Sequence, residues 1–141
     1  MAISLNFQRS VIIKERVRLK KFIHKIFFSQ GKIPCNISIV FCTDTFLLDI
    51  NKRFLAHDFY TDVITFDLSP DTSKNEIVAE IYISIDRVKE NAQKLDEIFN
   101  HELHRVMFHG ILHLCGYMDK TAEELKTMRK LEKRYLSEYF L

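Results

Sequence analysis

The chain contains no tryptophan, two prolines and three glycines among 141 residues. So few chain breakers exclude a loop-dominated or low-complexity protein and favour regular elements joined by short connections. The three cysteines, Cys35, Cys42 and Cys115, are odd in number and widely spaced. That excludes a disulfide framework and a Cys-x-x-Cys zinc clip, and they read as small buried hydrophobes in a reducing compartment. No apolar run approaches the roughly 20 residues that cross a bilayer. The first nine residues lack the basic head and apolar stretch of a secretory signal. A cytoplasmic protein with no membrane partner is therefore expected. Net charge is only +2, so no overall excess of one sign announces a polyanion as ligand.

Hydrophobic residues make up 47% and charged residues 28% of the chain, enough for one soluble globular domain spanning residues 1–141 with a core of its own. Ile3 to Phe7 alternates as a short strand does. Ser10 can cap a helix from Val11 to about Ser29, with the stripe Ile12, Leu19, Phe22, Ile23, Ile26 and Phe27 at the spacing of a buried face. Asn36 to Thr43 reads as a strand, and Asp44 or Thr45 opens a second helix through Phe54. His57 to Tyr60 is a loop, Val63 to Phe66 a third strand and Asp71 to Asn75 a turn. Ile77 to Ile85 is a fourth strand, with isoleucines on one face and Glu80, Tyr82 and Ser84 on the other. Asp86 begins a short helix to about Lys94, and a long one runs from about Ile98 to Cys115, stopped by Gly116. Thr121 and Glu124 form a capping box for a last helix with the stripe Leu125, Met128, Leu131, Tyr135 and Tyr139. The expected fold is α+β, a small mixed four-stranded sheet packed with about five helices.

The segment that carries chemistry is His109-Gly-Ile-Leu-His113-Leu-Cys-Gly-Tyr-Met-Asp119. Residues four apart share a helix face, so His109 and His113 can present two imidazoles to one ion, and the stop at Gly116 can return Asp119 as a third ligand. Two nitrogens and one carboxylate suit a divalent metal, zinc foremost, and leave a position open for an acidified water. The helix is zincin-like in this respect, yet Gly110 stands where a metalloprotease carries its general-base glutamate. The plain alternative makes Asp119 a cap for the last helix. His24, His101 and His104 read as solvated or partly packed. Between Arg9 and Lys25 seven basic residues face one acid. Such a run is either a solvated face or, through Lys14, Arg18, Lys21 and Lys25, a phosphate-binding one.

The motif His-Gly-x-Leu-His-Leu-x-Gly-Tyr at 109–117 resembles the signature of the YbeY family of bacterial endoribonucleases. Leu48-Asp-Ile-Asn51, Thr61-Asp-Val-Ile-Thr-Phe66 and Glu80-Ile-Tyr-Ile-Ser84 resemble the family's other blocks, in the same order, so the likeness runs from about residue 37 to 120. The resemblance implies a zinc-dependent, single-strand-directed ribonuclease. Its partners would be ribosomal RNA and the small ribosomal subunit, in maturation of the small-subunit 3′ end and in ribosome quality control. It also implies three metal ligands, here His109, His113 and the position of Asp119. There the family has histidine, so water should be less acidified and manganese or iron become alternatives to zinc. A second departure is Leu55, where the family usually has an arginine. Arg53 is rotated from it by about 200° along a helix. Lys52 and His57 are the nearest candidates to touch phosphate; the polar face of the fourth strand is expected to line the cleft, which makes Glu80 a candidate for proton transfer. Two other readings stay open: a ribosome-associated RNA-binding factor with a structural metal, and a metal hydrolase of small substrates.

Overall fold

The computed structural model describes residues 2–71 and 75–141. It has four strands and five helices among them, in the order β1 (Ile3–Phe7), α1 (Arg16–Ser29), β2 (Ile33–Cys42), α2 (Asp44–Leu55), β3 (Val63–Asp67), β4 (Glu76–Ser84), α3 (Ile85–Lys94), α4 (Phe99–Leu114) and α5 (Ala122–Tyr139). The sheet order is β1-β2-β4-β3. The first three strands run parallel, and β3 closes the edge antiparallel to β4. This is the mixed sheet that the alternating segments predict. Part of the turn expected at Asp71–Asn75 lies outside the described residues.

Strand alternation divides the apolar side chains between two faces. Ile37, Ile39 and Phe41 of β2, with Ala79, Ile81 and Ile83 of β4, build the main core with α1, α4 and α5. On the other face, Cys42 and Ile64 meet Leu47 and Ile50 of α2 in a smaller cluster edged by Phe66 and Tyr82. Cys42 is the buried small hydrophobe its sequence suggests, whereas Cys35 is exposed and Cys115 half-buried.

Strand β2 begins at Ile33, three residues before the expected Asn36, and two further boundaries depart from the sequence reading for a visible reason. The first helix begins at Arg16, not Val11. Both Gln8 and Arg9 donate backbone N–H groups to the Phe41 carbonyl, and the Arg9 guanidinium pairs with Asp86. These contacts hold the chain across the end of the sheet, so Ile13 is buried while Ile12 is 80% exposed. Glu15 at φ 53° then turns the chain into the helix. The second departure is Ile85, which opens α3 instead of ending β4, because the Ser84 hydroxyl caps the Arg87 N–H.

The long helix α4 crosses the sheet closely at Gly110. A Cβ there would lie 3.0 Å from Ile81 Cγ2 and 3.3 Å from both Ile81 Cδ1 and Thr65 Oγ1. Absence of a side chain thus sets how near α4 comes to β3 and β4, and this position has no room for a glutamate. Gly110→Ala should gain about 1 kcal/mol of helix propensity and lose about 1–3 kcal/mol to overpacking. A net fall in Tm of a few degrees is expected by calorimetry; an unchanged or raised Tm would show that Ile81 yields freely.

Candidate metal centre

His109 and His113 occupy the last two turns of α4, where their side chains lie one turn apart on the same face. The helix ends at Leu114, and Gly116 takes φ 103°, a backbone conformation that side-chain-bearing residues rarely adopt. The chain then folds back, and Asp119 faces the helix it has just left. His109 Nε2 lies 2.9 Å from His113 Nε2, and Asp119 Oδ2 lies 3.2 Å and 3.4 Å from the two. One ligand atom from each residue falls within 4.8 Å of the others. Capping of α5 belongs to Thr121 and Glu124 through the reciprocal box. Asp119 is therefore not that helix's cap.

What fixes the first imidazole comes from the last helix. Glu132 Oε2 accepts a 2.5 Å hydrogen bond from His109 Nδ1, which leaves the Nε2 lone pair facing Asp119 and His113. A carboxylate behind a metal-binding histidine fixes the ring's tautomer and raises its basicity. Glu132 is 1% exposed. Its other oxygen takes 2.8 Å and 3.1 Å bonds from Arg129 and Arg105. Arg105 in turn clamps the buried Glu102 through two bonds of 2.8 Å and 2.7 Å. Burial pushes the Glu132 carboxyl up, but the His109 hydrogen bond and the two guanidinium groups outweigh it and hold Glu132 ionised, below the usual carboxylate range. Burial and then the neighbouring His109 lower the His113 pKa against the pull of Asp119. His113 is thus neutral, the form that ligates a metal, at neutral pH.

The three groups form one wall of an open cleft of about 560 Å³, whose other walls include Leu55, His57, Phe59, Asp62, Thr65 and Lys120. Two imidazole nitrogens and a carboxylate oxygen converging beside open space are a donor set that a divalent cation fits.

The family model described as "Endoribonuclease YbeY" matches residues 5–140. The chain belongs to the YbeY family. It is 43% identical over 125 residues to Endoribonuclease YbeY of Cytophaga hutchinsonii, covering 89% of this chain and 86% of that protein. To Endoribonuclease YbeY of Flavobacterium psychrophilum it is 42% identical over 130 residues, covering 92% and 91%. Among solved structures it is similar to the solution structure of TM1509 from Thermotoga maritima, with a TM-score of 0.62, 28% identity and coverage of 98% and 89%. Membership of the YbeY family makes this chain an endoribonuclease, a hydrolase of RNA phosphodiester bonds. No helix among the described residues is long and apolar enough to cross a membrane.

The YbeY fold brings together only some of the residues picked from the sequence. His109, His113 and Asp119 converge, and His57 lines the same cleft. Lys52 does not line it; its ammonium sits 3.3 Å from Asp58 in solvent. Glu80 lies on the opposite face of β4 from Ile81, which touches α4 at Gly110. There it accepts a 3.3 Å bond from Tyr82 and borders an apolar hollow with Ile50, Phe54, Phe66 and Leu68. The expectation that β4's polar face lines the cleft is thus corrected: β4 turns isoleucines toward the metal helix, and α2 covers the other face.

Lys14, Arg18, Lys21 and Lys25 line none of the cleft either. Arg18 donates to the Tyr139 carbonyl and stacks on that ring at 4.1 Å, and Lys25 sits 3.8 Å from Glu138. Lys14 precedes α1 instead of lying on it, and Lys21 is an exposed residue of that helix. Of the two readings for His104, solvated or packed, the structure gives the packed one: it is 2% exposed, bonded to the Asn100 carbonyl and enclosed by Phe108, Tyr139 and Phe140. Sequence reasoning missed Glu132, Arg105 and Lys120. The one available signal was Glu132, a charge four after Met128 and three before Tyr135 on the buried stripe of α5.

Proposed function

We propose that this YbeY protein is a zinc-dependent endoribonuclease of single-stranded ribosomal RNA in the cytoplasm. On this reading it works in maturation of the small-subunit 3′ end and in ribosome quality control, with the small ribosomal subunit as partner. The observation that carries the metal-dependent part is the convergence of His109 Nε2, His113 Nε2 and Asp119 Oδ2 beside an open cleft, with His109 held from behind by Glu132. A structural zinc site is closed by four protein ligands, whereas a catalytic one keeps a place for water or substrate. Among the described residues three potential ligands meet here, which favours catalysis over a purely structural ion. The ribosomal substrate rests on family resemblance.

A divalent ion at this position would supply Lewis acidity, polarising the phosphoryl group and acidifying water. The chain's own residues do the rest. Burial keeps His113 a neutral donor, and Glu132, by accepting from His109 Nδ1, orients that ring so that Nε2 faces the other two ligands. Asp119 brings one negative charge, which favours a cation and tempers its acidity. Among the described residues Lys120 is the one lysine lining the cleft, and it stands next to Asp119 in the chain. Its ammonium can neutralise a phosphate oxygen, a role that Leu55, apolar and on the cleft wall, leaves open. Lys52 and Glu80 do not line the cleft, whereas His57 does and is the second group in place to donate to phosphate.

Elemental analysis of protein purified without added metal is expected to find about one zinc per chain. Chelation should abolish cleavage of single-stranded ribosomal RNA fragments, and added zinc should restore it. Cleavage that persists at full rate in metal-free protein sinks the reading.

A further inference from the structure

The loop between α2 and β3 carries a stacked pair whose ring faces, and Phe59 altogether, have no part in the chemistry described above. Phe59 is 56% exposed. Its ring stacks on His57 with centroids 5.0 Å apart and planes 23° from parallel, and both residues line the cleft of His109, His113 and Asp119. An exposed phenyl ring forgoes the transfer free energy that burial would give it, and nothing in the fold covers this one among the described residues. The loop is nevertheless held firmly. Ala56 at φ 54° turns the chain out of α2, and the His57 N–H donates to the Asn51 carbonyl at 3.1 Å. The Asn51 side chain, 1% exposed, donates to the Phe59 carbonyl at 2.9 Å. A buried amide thus fixes from beneath the backbone that presents the ring.

We propose that His57 and Phe59 form a base-stacking subsite: an unpaired base of the RNA, adjoining the bond to be cut, lies on the Phe59 ring while its phosphate reaches the metal ligands. The inference rests on the reading that RNA is cleaved at His109, His113 and Asp119. Three observations favour a base as occupant. The rings continue the wall of the reaction cleft, so whatever lies on them is part of the substrate. The cleft volume of about 560 Å³ is in the range of sites for nucleotide-sized ligands. Aromatic rings also accept every base by its π-face, which suits an enzyme reading strandedness more than sequence. A base in a duplex is already stacked on both sides and cannot lie on Phe59 without being extruded. The pair therefore supplies a physical source of single-strand preference.

The test uses the full chain and single-stranded RNA oligonucleotides in two measurements. In the first, a 2-aminopurine beside the cleavage site reports stacking by fluorescence quenching in metal-free protein, where nothing is cut. In the second, steady-state cleavage by the zinc-loaded enzyme is compared for intact RNA and RNA with an abasic nucleotide at that place. Wild-type protein should quench the probe and lose about ten-fold in KM on the abasic substrate, the worth of one stacked base. Phe59→Ala should lose the quenching, raise KM on intact RNA by about ten-fold, change kcat little and show no further abasic penalty. Phe59→Trp should restore both. Unchanged KM and quenching in Phe59→Ala, an abasic penalty equal in variant and wild type, or failure of Phe59→Trp to restore either, would each overturn the proposal. Quenching without cleavage in wild type would strike the function reading alone, whereas zinc-dependent cleavage indifferent to Phe59 would strike the subsite alone.

Discussion

Replacing His113 with alanine is expected to lower kcat on single-stranded RNA about a thousand-fold and to leave the folded protein intact. The first half follows from what an ion contributes: several kcal/mol of transition-state stabilisation, at about 1.4 kcal/mol for each factor of ten. With one imidazole gone, a nitrogen and a carboxylate oxygen remain at the centre, too few to retain zinc against a chelator. The second half follows from position. His113 sits at the cleft with 23% of its side chain exposed, and its Nε2 contacts are with the other two ligands. His109→Ala should be equally inactive but less stable. His109 is 8% exposed and shares with Glu132 a hydrogen bond whose loss leaves a buried carboxylate one partner short. The comparison is read from metal content, kcat and Tm of the two variants side by side. A His113→Ala protein that keeps wild-type turnover would remove the metal centre from the mechanism.

How far this site was legible in the sequence depended on whether its residues are neighbours along the chain. His109, His113 and the stop at Gly116 belong to one helix and its terminus, where spacing dictates geometry. The capping box at Thr121 is equally local, and it came out as expected. Long-range placement was harder. The alternation of β4 shows that Glu80 and Ile81 point oppositely, but not which face meets the metal helix; that was decided by Gly110, whose missing side chain lets α4 approach Ile81. The start of α1 is not legible locally, because Ser10 offers a cap and the apolar stripe a helical spacing, although the β-branched run Val11-Ile12-Ile13 is a poor helix former. Contacts of Arg9 with Asp86 and with the Phe41 carbonyl hold that stretch across the sheet end instead. Charged side chains that satisfy one another inside a core, as Glu102, Arg105 and Glu132 do, look in one dimension like any solvated i, i+3 pair. Lys120 carries no signal in the sequence, because a lysine at a helix entrance is ordinary until the chain reversal places it on the cleft.

Glu132 gives the second large effect, and its variants separate charge from shape. Glu132→Ala is expected to cost about 3 kcal/mol of stability, the low end for breaking a buried ion pair, because Arg105 keeps both bonds to Glu102. The same change should weaken zinc binding about a hundred-fold, since His109 loses the acceptor that fixes its tautomer. Glu132→Gln keeps an oxygen for His109 Nδ1 and loses the negative charge, so about ten-fold weaker zinc binding is expected with a smaller fall in Tm. Acid makes the distinction sharper. In the folded protein Glu132 titrates below its ordinary carboxylate value, with burial opposing and the His109, Arg105 and Arg129 interactions prevailing. Its stabilisation is therefore complete above the unfolded pKa and is lost as pH falls through the depressed folded one. Wild type should lose this increment of stability on acidification; Glu132→Gln, with nothing to titrate at that position, should lack it. Urea melts of apo protein at neutral and acid pH measure the difference, and competition with a zinc chelator measures the affinities. Equal zinc affinity in wild type, Glu132→Gln and Glu132→Ala would mean that His109 needs no support from α5. The buried carboxylate would then hold the helices together and nothing more.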